Sequence, residues 1–191
     1  MRLFTGLDLP GHVTSELDSL VAQFRPLAPL MRWSPAANLH VTTKFIGEWP
    51  AERLDELTAA LASVPAPPPF PIKLSGLGWF PNPHQPRVFW CAVKAPPELS
   101  SLAEATATRL VELGIPKEDR PYTAHLTLAK IGEATKPGLG ALRRAIALLP
   151  STEFGECQAT AFHLYLSETG RYSKLASFPL RPREKTEEGN R

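Results

Sequence analysis

Two hydrophobic periodicities alternate along the chain, and their alternation predicts a mixed α+β fold. Apolar residues at helical spacing predict four helices, at 10–24, 50–64, 96–114 and 137–149. Runs rich in β-branched and aromatic residues predict seven strands, at 2–9, 39–47, 70–80, 87–95, 124–132, 157–168 and 171–180. In the first of these strands Leu3, Leu7 and Leu9 alternate as expected for one buried face, whereas Phe4 falls out of phase.

Two of the predicted strands carry nearly the same sequence. NLHVTTKFIGEW begins at Asn38 and AHLTLAKIGEAT at Ala124, so His-x-Thr followed by Ile-Gly-Glu occurs twice, 85 residues apart. Each copy precedes a predicted helix and then further strands. Internal duplication explains this order and predicts two lobes related by a pseudo-two-fold axis. We therefore expect 1–180 to form one bilobal domain, with its motifs at 40–43 and 125–128.

Composition narrows the class of protein further. The 191 residues suffice for one good core, and 43% hydrophobic with 21% charged residues is typical of a soluble protein. A formal net charge of +2 excludes wholesale wrapping of nucleic acid. The chain has neither an apolar run of membrane-spanning length nor a signal-peptide pattern, which predicts a cytoplasmic protein without membrane contact, and its size suits a monomer. The charged segment 181–191 is predicted to be a disordered tail.

The duplicated motif predicts acid–base chemistry. Residues i and i+2 of a strand share a face, so each copy presents an imidazole beside a hydroxyl. Two histidines across a groove can accept one proton and donate another near neutral pH, and hydroxyls can donate to phosphate oxygens. This set suits phosphoryl transfer from a poor alkoxide leaving group, such as that of a 2′,3′-cyclic ribose phosphate. Catalytic zinc normally takes three protein ligands, and no carboxylate or cysteine shares the local spacing of the two histidines, so no metal site is predicted.

Several segments resemble a known family. ANLHVTTKFIGE and YTAHLTLAKIGE look like the paired HxTx signatures of the two-histidine phosphoesterase superfamily. RLFTGLDLP, GWFPNP and RVFWCAV further resemble its RNA 2′,3′-cyclic phosphodiesterases, also called 2′-5′ RNA ligases, over about 2–180. The resemblance implies a LigT-like α+β fold in which two antiparallel sheets line a central groove with helices outside. It also implies cofactor-free hydrolysis of an RNA 2′,3′-cyclic phosphate to a 2′-phosphomonoester, and reversible 2′-5′ joining of tRNA halves.

The same resemblance assigns roles to the motif residues. His40 matches the proton donor to the leaving 3′ oxygen, His125 the proton acceptor for water, and Thr42 and Thr127 the phosphate-binding threonines. Pseudo-symmetry leaves the choice between donor and acceptor open from the residues alone.

Three further residues are candidate substrate contacts. Lys44 is in phase with His40 and Thr42 and is expected to face the groove. Lys130 stands where the family often has arginine, as Ala124 stands for its proline, but on a regular strand it lies on the face opposite His125 unless the strand bulges. Tyr122, just before the second motif, is a candidate for stacking on a base.

Two alternatives remain at this stage. The substrate could instead be a small cyclic nucleotide or a 2′-5′ oligonucleotide, or the groove could belong to a nucleotide- or RNA-binding module without turnover. The presence of two complete His-x-Thr pairs argues against the binding module, because binding alone does not require two proton carriers.

Overall fold

The computed structural model describes residues 1–133 and 138–181. Its strands and helices run in the order β1 (Arg2–Leu7), α1 (Gly11–Phe24), β2 (Arg32–Trp33), β3 (Val41–Glu48), α2 (Leu54–Ala62), β4 (Phe70–Phe80), β5 (Val88–Lys94), α3 (Pro97–Val111), β6 (His125–Lys130), α4 (Gly140–Ala147), β7 (Glu153–Ala159), β8 (Ala161–Glu168) and β9 (Arg171–Pro179). The predicted start of the last helix at Pro137 and nearly all of the predicted tail, 182–191, lie outside the described residues.

The strands form two antiparallel sheets. The first sheet has the order β3-β1-β8-β9, and the second has the order β2-β6-β5-β4-β7. Each sheet thus contains one motif strand, β3 in the first and β6 in the second. The α+β class and the bilobal arrangement of two sheets expected from the sequence are confirmed.

Helices cover the faces of the sheets that point away from the groove. The predicted apolar stripe of α1 is buried, and its last residue Phe24 packs on Phe89 of the second sheet, with ring centroids 6.3 Å apart. Helices α2 and α3 contact each other and pack on β9 and β3 of the first sheet. Burial of such stripes supplies most of the stability of short helices. No helix among the described residues has the length and apolar character needed to cross a membrane.

The predicted single strand 157–168 is in fact two strands. Residues up to Ala159 belong to β7 and pair with β4 in the second sheet, whereas β8 starts at Ala161 and pairs with β1 in the first. The chain therefore passes from one lobe to the other at Thr160. Hydrophobic periodicity could not show this, because Cys157, Ala159 and Ala161 keep the alternation of a single strand across the break, which is one residue long.

Two strands that follow each motif strand join the opposite sheet. β4 and β5 come after β3 in sequence but lie in the sheet of β6, and β8 and β9 come after β6 but lie in the sheet of β3, whereas β7 stays in the sheet of β6. The lobes are therefore interlinked, and the motif strands β3 and β6 contact each other.

Candidate active site

Equivalent hydrogen bonds hold the two motif histidines. The Nδ1–H of His40 donates to the carbonyl of Asn38 at 2.7 Å, and the Nδ1–H of His125 donates to the carbonyl of Thr123 at 2.8 Å. A carbonyl can only accept, so these bonds place a proton on Nδ1 of each ring. The Nε2 atom of each imidazole is thereby left for proton exchange, as a general acid or base requires.

Aromatic rings from neighbouring strands support both imidazoles. The centroid of Phe4 lies 4.6 Å from that of His40, and Phe80 meets His125 edge-on at 5.0 Å. Phe4 is the residue that fell out of phase in the sequence, because it lies on the groove face while Leu3 and Leu7 enter the core. An off-phase aromatic residue was therefore a signal for the site.

Thr42 lies beside His40 as the strand geometry predicts. Its Oγ1 is 2.8 Å from Nε2 of His40. Because Nδ1 holds the proton of the neutral ring, the Thr42 hydroxyl then donates to Nε2; a protonated ring would reverse that bond. Thr127 is half-buried on β6 and lies on the same face as His125.

Burial lowers the pKa of His40 below its ordinary value of 6.5. The hydrogen bond to Asn38 opposes this shift, and the charge of His125 adds to it. Burial dominates because water stabilises the imidazolium better than the protein interior does. The charge of His125 acts across the two lobes, whose motif strands β3 and β6 contact each other.

A β-bulge overturns the prediction for Lys44. The register between β1 and β3 shifts so that Thr5 pairs with Lys44 and Gly6 with Thr42, which leaves Thr43 as the extra residue. The bulge changes the phase of the strand and moves the lysine off the groove face. Its side chain is 3% exposed, and its ammonium donates to the Pro116 carbonyl at 2.6 Å and pairs with Glu118 at 2.7 Å. Lys44 is thus a structural link to the chain that precedes β6, and its assignment as a phosphate contact is wrong.

An equivalent bulge brings Lys130 to the groove face. β6 pairs His125 with Ala92, Thr127 with Trp90 and Lys130 with Val88, so Leu128 is the extra residue. Paired residues on adjacent strands share a face, and alternate residues of β5 share one too. The exposed side chain of Lys130 therefore lies on the same face as His125 and Thr127.

The two bulges also identify a residue equivalent to Lys130 in the first lobe. Thr43 and Leu128 are 85 residues apart, as are the two histidines, so Phe45 corresponds to Lys130. Phe45 pairs with Phe4 across the strands, on the groove face, and is 62% exposed. A large exposed ring beside the motif is a suitable platform for a nucleobase.

Tyr122 has a different place from the one predicted. Its hydroxyl donates to the Thr42 carbonyl at 2.9 Å, and its ring packs against the core. Burial raises the pKa of this phenol, so it stays protonated and keeps the bond. With its hydroxyl engaged and its ring packed, Tyr122 joins the two lobes, and the expected stacking on a base is not supported.

The family model for LigT-like phosphoesterases matches residues 7–90 and 92–173. The chain belongs to the LigT-like phosphoesterase family. Curated relatives include the RNA 2′,3′-cyclic phosphodiesterase of Archaeoglobus fulgidus, 32% identical over 86% of this chain and 89% of that protein. The enzyme of the same name from Methanocaldococcus jannaschii is 31% identical over 87% of this chain and 91% of its own length.

Solved structures of the family agree with this assignment. A crystal structure from Thermus thermophilus superposes with a TM-score of 0.76 at 31% identity, covering 96% of this chain and all of that one. Escherichia coli LigT complexed with 3′-AMP superposes with a TM-score of 0.74 at 27% identity, covering 94% of this chain and 97% of that one. The resemblance to this family stated from the sequence is confirmed, as is the LigT-like fold.

Proposed function

We propose that the protein is a hydrolase that opens the 2′,3′-cyclic phosphate at the end of an RNA to give a 2′-phosphomonoester. The observation that carries this proposal is the pair of matched His-x-Thr sites, each histidine fixed through Nδ1 with Nε2 left for proton transfer. The curated relatives, which are named RNA 2′,3′-cyclic phosphodiesterases, support the substrate class.

The geometry suits an in-line displacement. Water attacks phosphorus on the side opposite O3′, and Nε2 of His125 takes its proton. The P–O3′ bond breaks as Nε2–H of His40 gives its proton to O3′. Thr42 and Thr127 donate to the non-bridging oxygens, and the ammonium of Lys130 balances their charge. Phe45 provides a surface for the base of the terminal nucleoside.

Replacement of the water by a 5′-hydroxyl would turn the same displacement into 2′-5′ ligation, with His125 taking the proton of the 5′-hydroxyl and His40 giving its proton to O3′. In the reverse reaction, in which O3′ attacks the 2′-5′ linkage and restores the cyclic phosphate, the two histidines would exchange roles, since microscopic reversibility makes the acid of one direction the base of the other. Ligation of tRNA halves therefore remains part of the proposal and needs no additional group.

The first experiment is incubation of the purified protein with a short RNA ending in a 2′,3′-cyclic phosphate, in excess EDTA, followed by mapping of the product phosphate. We expect a 2′-phosphate in undiminished yield, because every proposed step uses side chains alone. A 3′-phosphate product, or activity abolished by EDTA and restored by a divalent metal, would contradict the mechanism. RNA that binds without turnover would instead favour the binding module.

The pH dependence tests the choice of His40 as proton donor. Only protonated His40 can donate, so kcat/KM should fall as pH rises through the pKa of His40, which burial holds below 6.5. A profile measured from about pH 5 to 9 should therefore have its optimum on the acidic side of neutrality. An activity that rises through this pKa and stays high to about pH 8 would make His40 the base and His125 the acid.

A further inference from the structure

A cavity of about 320 Å³ lies directly beside His40. It is formed where the first sheet meets the short 3₁₀ turn Ala36–Asn38, and the side-chain amide of Asn38 joins this turn to the β8–β9 turn by donating to the Gly170 carbonyl at 2.6 Å. The lining side chains that matter for binding are Asp8, Asn38, His40, Tyr165, Tyr172 and Lys174.

Two charged residues of this cavity neutralise each other. Lys174 donates from Nζ to Oδ2 of Asp8 at 2.7 Å, and Oδ1 of Asp8 lies 3.2 Å from Nε2 of the buried His163. The pair offers a hydrogen-bond donor and an acceptor without net charge. Such a set suits the edge of a neutral nucleobase better than a phosphate, which would need unpaired cations.

The cavity wall is continuous with the aromatic support of the catalytic histidine. Tyr172 meets His40 edge-on at 5.2 Å and Phe4 at 5.0 Å, and Tyr165 stacks on Phe4 at 5.1 Å. A planar ligand in the cavity would therefore contact aromatic side chains while the phosphate of the same molecule lay at the motif residues. Stacking of this kind is the usual way in which single-stranded nucleic acid is held.

The cavity and Phe45 lie on opposite sides of Phe4. Phe4 pairs with Phe45 of β3 on one side and with Tyr165 of β8, which lines the cavity, on the other. The scissile phosphate would lie between them, and the proposed protonation of O3′ by His40 places the nucleoside on this lobe. One nucleoside can reach one of the two surfaces, while a chain of two nucleotides can occupy both.

We propose that the cavity binds the base of the nucleotide preceding the 2′,3′-cyclic phosphate end, so that the preferred substrate is an oligoribonucleotide rather than a mononucleotide. This inference rests on the proposed function and adds its substrate class. Phe45 then takes the terminal base and the cavity takes the one before it.

The test compares kcat/KM for a dinucleotide ending in a 2′,3′-cyclic phosphate with that for the mononucleoside 2′,3′-cyclic phosphate of the same terminal base. We expect the dinucleotide to be preferred by at least about tenfold, the scale of one stacked base. In Ala37→Trp, where the indole would fill the cavity, the ratio of the two kcat/KM values should fall toward one. Ala22→Trp, on the exposed face of α1, is the matched control and should keep the ratio of the unaltered protein.

A second pair of variants covers the case in which Ala37→Trp does not fold. Lys174→Met removes the ammonium of the cavity and should lower the dinucleotide preference, whereas Lys94→Met removes a lysine outside it and should not. Equal kcat/KM for the two substrates in the unaltered protein would overturn the inference, as would a preference that survives both cavity variants.

Binding separates this inference from the activity itself. If neither substrate is turned over, the proposed function fails. The Kd of a dinucleotide bearing a 2′-phosphate, compared with that of a nucleoside 2′-monophosphate, then tests the cavity site by itself. Binding of the dinucleotide that is about tenfold tighter, and no longer tighter in Ala37→Trp, supports the cavity site, whereas equal Kd values reject it.

Discussion

Replacing either His40 or His125 with alanine should lower kcat/KM by about 10²–10⁴-fold, because each variant removes one proton transfer from the reaction. The loss should come mainly in kcat, since the transferred proton matters in the transition state and little in binding of the cyclic phosphate. The double variant should be only slightly worse than the poorer single variant, because residues that act as a unit are not additive. Initial rates with a dinucleotide that ends in a 2′,3′-cyclic phosphate measure the effect in the two single variants and in the double variant.

His84→Ala is the matched control for this experiment. His84 lies exposed in the loop between β4 and β5, so its loss should leave turnover within about twofold, as for surface substitutions in general. Near-normal rates in both His40→Ala and His125→Ala would eliminate the two-histidine mechanism, whatever the product.

Thr42→Val and Thr127→Val should each reduce kcat by about 10²–10³-fold, the usual cost of one donor to a developing oxyanion. Valine keeps the β-branched shape of threonine and removes only its hydroxyl. The Thr42 variant should additionally alter the pH profile, because its hydroxyl lies 2.8 Å from Nε2 of His40. Steady-state rates and their pH dependence separate the two variants.

The corresponding serine variants keep the hydroxyl and should retain activity to within about tenfold. Full activity in the two valine variants would show that the phosphate oxygens are held by other groups, with Lys130 the first to examine.

The placement of the motif side chains could be predicted from the sequence because strand geometry is regular over two residues. His40 and Thr42 are neighbours on one face of any extended strand, and repetition of the pair at His125 and Thr127 marked both as unusual. The helices were predictable for a similar reason, since the apolar stripe of α1 follows its periodicity without interruption.

The faces on which Lys44 and Lys130 lie were not predictable because both residues lie beyond a bulge. Bulges at Thr43 and Leu128 each insert one residue, and one residue is enough to exchange the two faces of a strand. Strict alternation therefore placed Lys44 in the groove and Lys130 outside it, the reverse of the structure. Neither bulge has a glycine or proline that would mark it in the sequence.

The sheet to which each strand belongs could not be predicted, and the reason is topological. Periodicity reports which face of a strand is buried, but it does not report which strand lies beside it. The change of sheet at Thr160 and the hydrogen bond between Asn38 and Gly170 depend on contacts between residues far apart in sequence. Local composition does not predict such contacts.

The interlinked order of the sheets also bears on how the molecule is made. β1 lies between β3 and β8, so it lacks one of its two neighbours until the chain has been synthesised past residue 161. The second sheet likewise waits for β7 to cover the free edge of β4. Neither lobe can therefore be finished during synthesis of its own half. The groove, with both motif histidines in place, is complete only after both halves of this domain have been synthesised.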